Sequence, residues 1–269
     1  GWGEMIDKET IPQIWILFFL ISGLLMVTPA ASQKIAEQPL EKASQQVAKS
    51  SAKGKAAEVE PESDVKPGIN DRFVDPALDV SEWLGRFEIE SREVYSARNF
   101  VVGACEIKPG YVVADIGAGT GFYSRLFATA VGDTGWVYAV DIAPRFLEHI
   151  NKQSQEDGVT NVTSVLCSDR SVQLPPNSIN VVFVCDTYHH FEHFPSTLAS
   201  IYRALKSGGT LVVVDFERIP GKSRDFIIGH VRAGKELVQA EVIDAGFRFL
   251  EEVSVPDFKE NYLLRFRKP

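Results

Sequence analysis

Ten consecutive residues, Val112-Val113-Ala114-Asp115-Ile116-Gly117-Ala118-Gly119-Thr120-Gly121, limit what this chain can fold into more than any other stretch. The apolar run Tyr111–Ile116 predicts a buried strand. Three glycines then mark a turn, and Phe122 to Ala128 restarts with helical spacing. Strand, glycine turn and helix start form the unit on which α/β folds bind nucleotides. Glycine allows positive φ and a close backbone approach to a ligand, and the amides of a helix start can face a polar or negative group. The dinucleotide pattern G-x-G-x-x-G is not met, because Phe122 stands where its third glycine would be. Asp115, two places before the first glycine, suits a cationic ligand better than a pyrophosphate, whose charge it would repel. The other reading of the stretch is a tight strand-to-helix connection that binds nothing.

Downstream, strand and helix patterns alternate. Strands are predicted at Trp136–Val140, Val162–Leu166, Ile179–Cys185 and Thr210–Asp215. A helix opens at Pro144, which suits a first helical turn, and runs to about Glu156. Another spans Pro195–Leu205, and helical spacing resumes near Asp225 and ends at Ala245-Gly246. Phe247–Val253 and Tyr262–Phe266 are the last strands, close enough to pair antiparallel. Upstream, Asp79-Val80-Ser81-Glu82 has the form of a capping box opening a helix to about Val102, with Trp83, Leu84, Phe87, Val94 and Val101 on its apolar face. The alternation predicts an α/β fold: a seven-stranded, mostly parallel sheet with helices on both faces and a C-terminal antiparallel hairpin.

The acidic-x-G-x-G-x-G run, the seven strands and the terminal hairpin together resemble the class I S-adenosylmethionine-dependent methyltransferases, over about Trp83 to Arg267. The resemblance implies a Rossmann-like methyltransferase fold with S-adenosylmethionine as cofactor. It also implies a binding set: Asp115, Gly117, Ala118, Gly119 and Gly121 in the first motif, then Asp141 and Ile142 after the second strand. Ser168 and Asp169 follow the third strand, near the adenine, and Asp186 follows the fourth, where cofactor and substrate meet. Asp141 is also placed to cap a helix before Ala143-Pro144, and Asp169 reads equally well as a solvated loop carboxylate. Leu205-Lys206-Ser207-Gly208-Gly209 resembles the family's L-K-P-G-G turn, with serine for proline. Arg92, on the N-terminal helix, either meets the cofactor's carboxylate or forms a surface ion pair with Glu88 or Glu93.

Asp186-Thr187-Tyr188-His189-His190-Phe191-Glu192-His193 holds three of the five histidines in the chain. Asp186, Tyr188, His189 and His190 are the catalytic candidates. Three readings stay open. His189 or His190 acts as a base toward a hydroxyl or thiol. Alternatively, His189, His190, His193 and Asp186 hold a metal, a reading that lacks an H-E-x-x-H pattern and a recognised carboxylate set, so no metal is expected. In the third, one ring packs and the others face solvent. His230 and Arg232 stand where the family builds its substrate side, or on an ordinary polar helix face.

A formal net charge of −8 argues against a dedicated nucleic-acid binder, and the resemblance to small-molecule methyltransferases implies a small-molecule acceptor. The three cysteines form no C-x-x-C pair and predict neither a disulfide framework nor a zinc motif. Residues 1–31 read as a secretory signal or a membrane anchor: no charge falls between Thr10 and Gln33, and Ile14–Val27 is almost wholly apolar. Lysines follow it at Lys34, Lys42, Lys49, Lys53 and Lys55, so an anchor would keep the C-terminal side in the cytoplasm; cleavage would leave the protein periplasmic or secreted. Residues 32–68 read as a tether too poor in apolar residues to fold, and 69–269 as the catalytic domain. Two rivals remain at this stage: a catalytically silent cofactor-binding or scaffold module, and a nicotinamide-dependent oxidoreductase.

Overall fold

A computed structural model describes residues 68–269; the predicted signal or anchor and nearly all of the tether lie outside the described residues. No helix among the described residues is long and apolar enough to cross a membrane. The chain order is α1 (Asp71–Val74), α2 (Val80–Phe87), α3 (Glu93–Ser96), α4 (Arg98–Ala104), β1 (Val112–Ile116), α5 (Phe122–Val131), β2 (Trp136–Asp141), α6 (Pro144–Glu156) and β3 (Val162–Leu166). Then come β4 (Ile179–Cys185), a 3₁₀ turn at Tyr188–His190, α7 (Phe194–Ala204), β5 (Leu205–Phe216), α8 (Asp225–His230), α9 (Lys235–Asp244), β6 (Arg248–Glu252) and β7 (Asn261–Arg267).

The sheet has seven strands in the order β3-β2-β1-β4-β5-β7-β6. The first five strands are parallel; β7 lies antiparallel to β5 and to β6, inserted between them. The expected α/β sheet with its C-terminal hairpin is therefore present. Strand order reverses between β1 and β4, which places a ligand crevice beyond the carboxyl ends of those strands.

Alternating residues of the central strands feed two cores. Ala114, Ile116, Val182, Val184, Leu211, Val213 and Leu264 face one, packed with α7 and α9 residues such as Leu198, Ile201, Val238 and Val242. Val113, Val137, Val181, Phe183, Val212 and Leu263 face the other, against α5 residues Tyr123, Phe127 and Val131 and Val101 of α4. Near-continuous runs of buried β-branched residues are what a parallel sheet covered on both faces requires. Full burial of one such side chain stabilises by about 1.5–3 kcal/mol, so these layers hold the strand ends in place beneath the crevice.

Three expectations change. The single helix over 79–102 is three short ones. Asp79 does cap α2, accepting from the Ser81 N–H at 2.9 Å, but Glu82 pairs with Arg86 and closes no capping box. The helix breaks after Phe87 because the next residues bond to distant elements: Glu88 takes Thr120 Oγ1 and Arg125 at 2.8 Å each, and Arg92 pairs with Asp186. Leu205 to Gly209 is the irregular start of β5, not a separate turn, with the register shift opposite Ile179–Val181. The helical region from Asp225 divides at Val231–Gly234, where Val231 and Ala233 turn into the interior.

Candidate functional site

The glycine turn leaves β1 with φ at +72°, +54° and +78° for Gly117, Gly119 and Gly121. These glycines serve different neighbours. A Cβ on Gly117 would overlap the Thr187 side chain, and one on Gly119 would lie 3.3 Å from the Phe87 ring. A Cβ on Gly121 would reach Ile150 of α6 at 2.7 Å. Gly117 and Gly119 thus keep a crevice open, whereas Gly121 lets α5 and α6 pack.

A cavity of about 320 Å³ lies at the carboxyl ends of β1 to β5. Gly117 and Gly119, Asp141 and Ile142, Ser168 and Asp169, Asp186, and His189 and His190 all line it. Phe73, Trp83 and Phe87 from the N-terminal segment supply aromatic wall, and Phe146 continues it from α6. Asp115, Ala118, Gly121 and Tyr188 lie outside this lining. Asp115 is buried and accepts from Ser124 Oγ at 2.6 Å. Ala118 packs with Ala139, Leu147 and Ile150. Tyr188 is buried in one core, where its hydroxyl donates to Glu241 Oε2 at 2.8 Å. These three side chains support the site from behind.

Asp141 lines the cavity and accepts two backbone hydrogen bonds. Its Oδ2 accepts from the Gly119 N–H at 2.7 Å and its Oδ1 from the Ala143 N–H at 2.8 Å, tying the glycine turn to the start of α6. Burial pushes its carboxyl up to about 6 against the pull of these amides. Burial likewise raises Asp115 to about 7, with Ser124 pulling down and the Asp141 charge adding to the rise. Asp186, at φ +47°, pairs with Arg92 and accepts from Asn261 Nδ2 at 2.8 Å. Its pKa is raised by burial, with Arg92 opposing. Arg92 therefore meets neither Glu88 nor Glu93 but fastens the N-terminal segment over the cavity.

The histidines separate into two groups. His193 turns to Asp169, 3.3 Å from its Oδ2, and to Arg170. His189 and His190 meet His230, which arrives from α8; the ring centroids are 4.4 Å apart for His189–His190 and 5.1 Å for each with His230. His189 is buried, and its Nδ1 lies 2.7 Å from Asp215 Oδ1, while its backbone N–H reaches Asp215 Oδ2 at 3.1 Å. A carboxylate accepts only, so Nδ1 carries the proton. Asn70 Nδ2 donates to the His190 carbonyl at 3.0 Å and to Glu192 at 3.1 Å, which leaves Asn70 Oδ1 to accept from His190 Nδ1 at 3.1 Å. Burial and the neighbouring His189, His230 and Arg72 hold His190 neutral, its pKa pushed down to about 2. With Nδ1 of each ring so occupied, Nε2 is the atom left to ligate a cation, and that of His190 lies 3.3 Å from His230 Nε2.

Arg232, read as either an acceptor contact or part of a polar helix face, makes a bidentate ion pair with Glu241 at 2.7 and 2.8 Å. Sequence reasoning missed Asn70 and Asp215. Asp215 carried a usable signal, since it ends the predicted fifth strand as Asp141 ends the second. Asn70 carried none.

A protein-family profile described as a methyltransferase domain matches residues 114–213. A ubiquinone/menaquinone biosynthesis C-methyltransferase, UbiE, of Paraburkholderia phymatum is 33% identical over 120 residues, covering 45% of this chain and 49% of that one. The chain thus spans about half the length of the curated relatives it matches. Among solved structures, a SAM-dependent methyltransferase from Aquifex aeolicus aligns with a TM-score of 0.62 at 24% identity, covering 71% of this chain and 99% of that one. Phosphoethanolamine N-methyltransferase 2 of Haemonchus contortus, solved with S-adenosyl-L-methionine, aligns with a TM-score of 0.62 at 17% identity, covering 75% and 60%.

Proposed function

We propose that the chain, whose residues 114–213 match a methyltransferase domain, is a class I S-adenosylmethionine-dependent methyltransferase that transfers the methyl group of S-adenosylmethionine to a small acceptor of the hydroxylated aromatic or quinone class. One observation carries the reading: Gly117, Gly119, Asp141, Asp169 and Asp186, at the ends of four successive strands of the topology, all border one cavity. A cavity wall of acidic side chains and open glycine backbone suits a cationic nucleoside better than a pyrophosphate.

Asp141 would accept from the ribose hydroxyls, and Ser168 and Asp169 would flank the adenine. The sulfonium supplies the electrophilic methyl, so the protein's main task is to hold the acceptor in line with it and exclude water. Aromatic walls from Phe73, Trp83, Phe87 and Phe146 suit a flat, apolar acceptor. Where Nε2 carries no other ligand, His189 and His190 would accept a hydrogen bond from its hydroxyl through that atom. The likeness to quinone C-methyltransferases supports this acceptor class, as does the apolar run Ile14–Val27, through which we propose the chain associates with a membrane. Carbonate extraction of the full chain tests that association; release into the soluble fraction would refute it.

Calorimetric titration of the full chain with S-adenosylmethionine, S-adenosylhomocysteine and NADH tests the cofactor. Binding of the first two without NADH is expected, and NADH binding alone overturns the proposal. Radiolabelled methyl transfer to a panel of hydroxylated aromatics and quinols then tests the acceptor class. Incorporation into none of them, by protein that binds S-adenosylmethionine, would return the chain to a silent binding module.

A further inference from the structure

His189, His190 and His230 each offer a ring nitrogen within 4.8 Å of the others, and all three line the cavity beside Asp186 and Gly117. His190 Nε2 and His230 Nε2 are 3.3 Å apart. Two imidazoles on a tetrahedral ion with metal–nitrogen bonds of about 2.0–2.1 Å would stand about 3.3 Å apart. The surroundings of two of the rings fit the same purpose. Asp215 holds the Nδ1 proton of His189 and Asn70 that of His190, which leaves Nε2 of each as the atom able to ligate. A ligating histidine characteristically donates its other N–H to a carboxylate or carbonyl, which fixes the tautomer and raises ligand basicity.

We propose that His189, His190 and His230 form a binding site for one divalent first-row transition cation of the zinc kind, with its remaining coordination position open to the cavity. Three imidazoles with no thiolate or carboxylate in the set suit zinc and its neighbours rather than calcium or magnesium. Three protein ligands also leave room for a fourth, drawn from water or an anionic oxygen of a bound molecule. The widest pair must close by up to about 1.5 Å to share an ion. Asp215, hydrogen-bonded to His189, provides a buried carboxylate behind the ion. The site brings together residues 40 positions apart, and its composition differs from the loop-only set of His189, His190, His193 and Asp186 because His193 faces Asp169 instead. The proposal goes beyond methyl transfer and stands or falls separately from it.

The test is elemental analysis of the purified full chain, after chelation and reloading with zinc, together with cobalt(II) titration followed by visible absorption. One equivalent of tightly held metal is expected, with a cobalt spectrum of tetrahedral intensity. His230→Gln and His190→Gln should each weaken cobalt binding at least tenfold, and Asn70→Ala about tenfold through loss of its hold on the His190 ring. His149→Gln, outside the cluster, should leave it unchanged. S-adenosylmethionine binding is measured in the same samples; retention in His230→Gln shows that the variant is folded, and loss of the cofactor signal in wild-type protein counts only against the earlier reading. Less than a tenth of an equivalent in reloaded wild-type protein overturns the site. So does full cobalt binding by both histidine variants.

Discussion

The two halves of the cavity are built by different means. On the β1–β2–β3 side, the groups are backbone amides and carboxylates at strand ends: Gly117, Gly119, Asp141 and Asp169. The sheet positions them, and each sits close in sequence to a strand. On the opposite side, Asn70, Arg92, the His189–His190 pair and His230 come from four separate segments: Asn70 and His230 contact His190, His189 bonds to Asp215, and Arg92 pairs with Asp186. The first half is rigid because strands are rigid. The second depends on cross-links, and it can be altered a residue at a time without disturbing the sheet.

The strand-end half should therefore break most severely where backbone is involved. Gly117→Val places a branched side chain at φ +72° and against Thr187. Affinity for S-adenosylmethionine should fall at least ~1000-fold, about 4 kcal/mol. Gly158, at φ +68° with open space around it, gives the control: Gly158→Ala should cost about 1 kcal/mol of stability and leave affinity intact. Equal affinity losses in both would show that backbone strain alone, rather than the overlap at Thr187, governs the turn.

In the cross-linked half, Arg92→Ala is the strongest break. It leaves Asp186 buried without its cation and should cost about 3 kcal/mol in denaturant unfolding. If the half behaves as a set of cross-links, the double variant Arg92→Ala/Asp186→Asn should recover much of that loss. No recovery would mean that Arg92 acts mainly through its contact with the Phe87 carbonyl and ring.

Back on the strand side, Asp141→Asn should weaken S-adenosylmethionine binding about tenfold, because an amide is a poorer acceptor for ribose hydroxyls and carries no charge for the sulfonium. The wild-type carboxyl, held up to about 6, binds best when ionised. Affinity should consequently decline as pH falls through about 6 and level off about tenfold below its value at neutral pH. In Asp141→Asn that slope should be flat. A slope that persists in the variant would place the titrating group elsewhere.

The same division governs what the sequence made legible. Strand-end groups follow from a strand prediction and a short motif: once β1, β2 and β4 are placed, Gly117, Asp141 and Asp186 fall at one edge of the sheet. The sequence could not assign the glycines their neighbours, since Ile150 and Thr187 approach only after folding. The cross-linked half was visible only as a cluster of histidines with Arg92 and His230 as separate candidates. Asn70 sits at the boundary of a polar tether, and the partnership of His230 with His189 requires knowing that β5 and α8 return over the cavity. The Arg92–Asp186 pair spans 94 residues, a separation at which charge patterning carries no information.

Asp115 gives the finest test, because its sequence position suggested a ligand and its surroundings suggest a support. It is 3% exposed, bonded to Ser124, and outside the cavity lining. Asp115→Asn keeps an acceptor for the Ser124 hydroxyl and removes only the charge. Affinity for S-adenosylmethionine should change less than about threefold, under 0.7 kcal/mol, far below the effect at Asp141. Stability should move in the opposite sense. The folded pKa, about 7, lies above the 3.8 of an ordinary aspartate, which the unfolded chain keeps. Between those two pH values the unfolded carboxyl ionises while the folded one keeps its proton, so wild-type stability falls as pH rises and stays lowered above 7. Asparagine lacks this penalty. Its stability relative to wild type should therefore climb from pH 4 to pH 7 and level off, as read by denaturant unfolding across that range. A large affinity loss with no such climb would return Asp115 to the binding surface and erase the distinction between lining and support on the strand side.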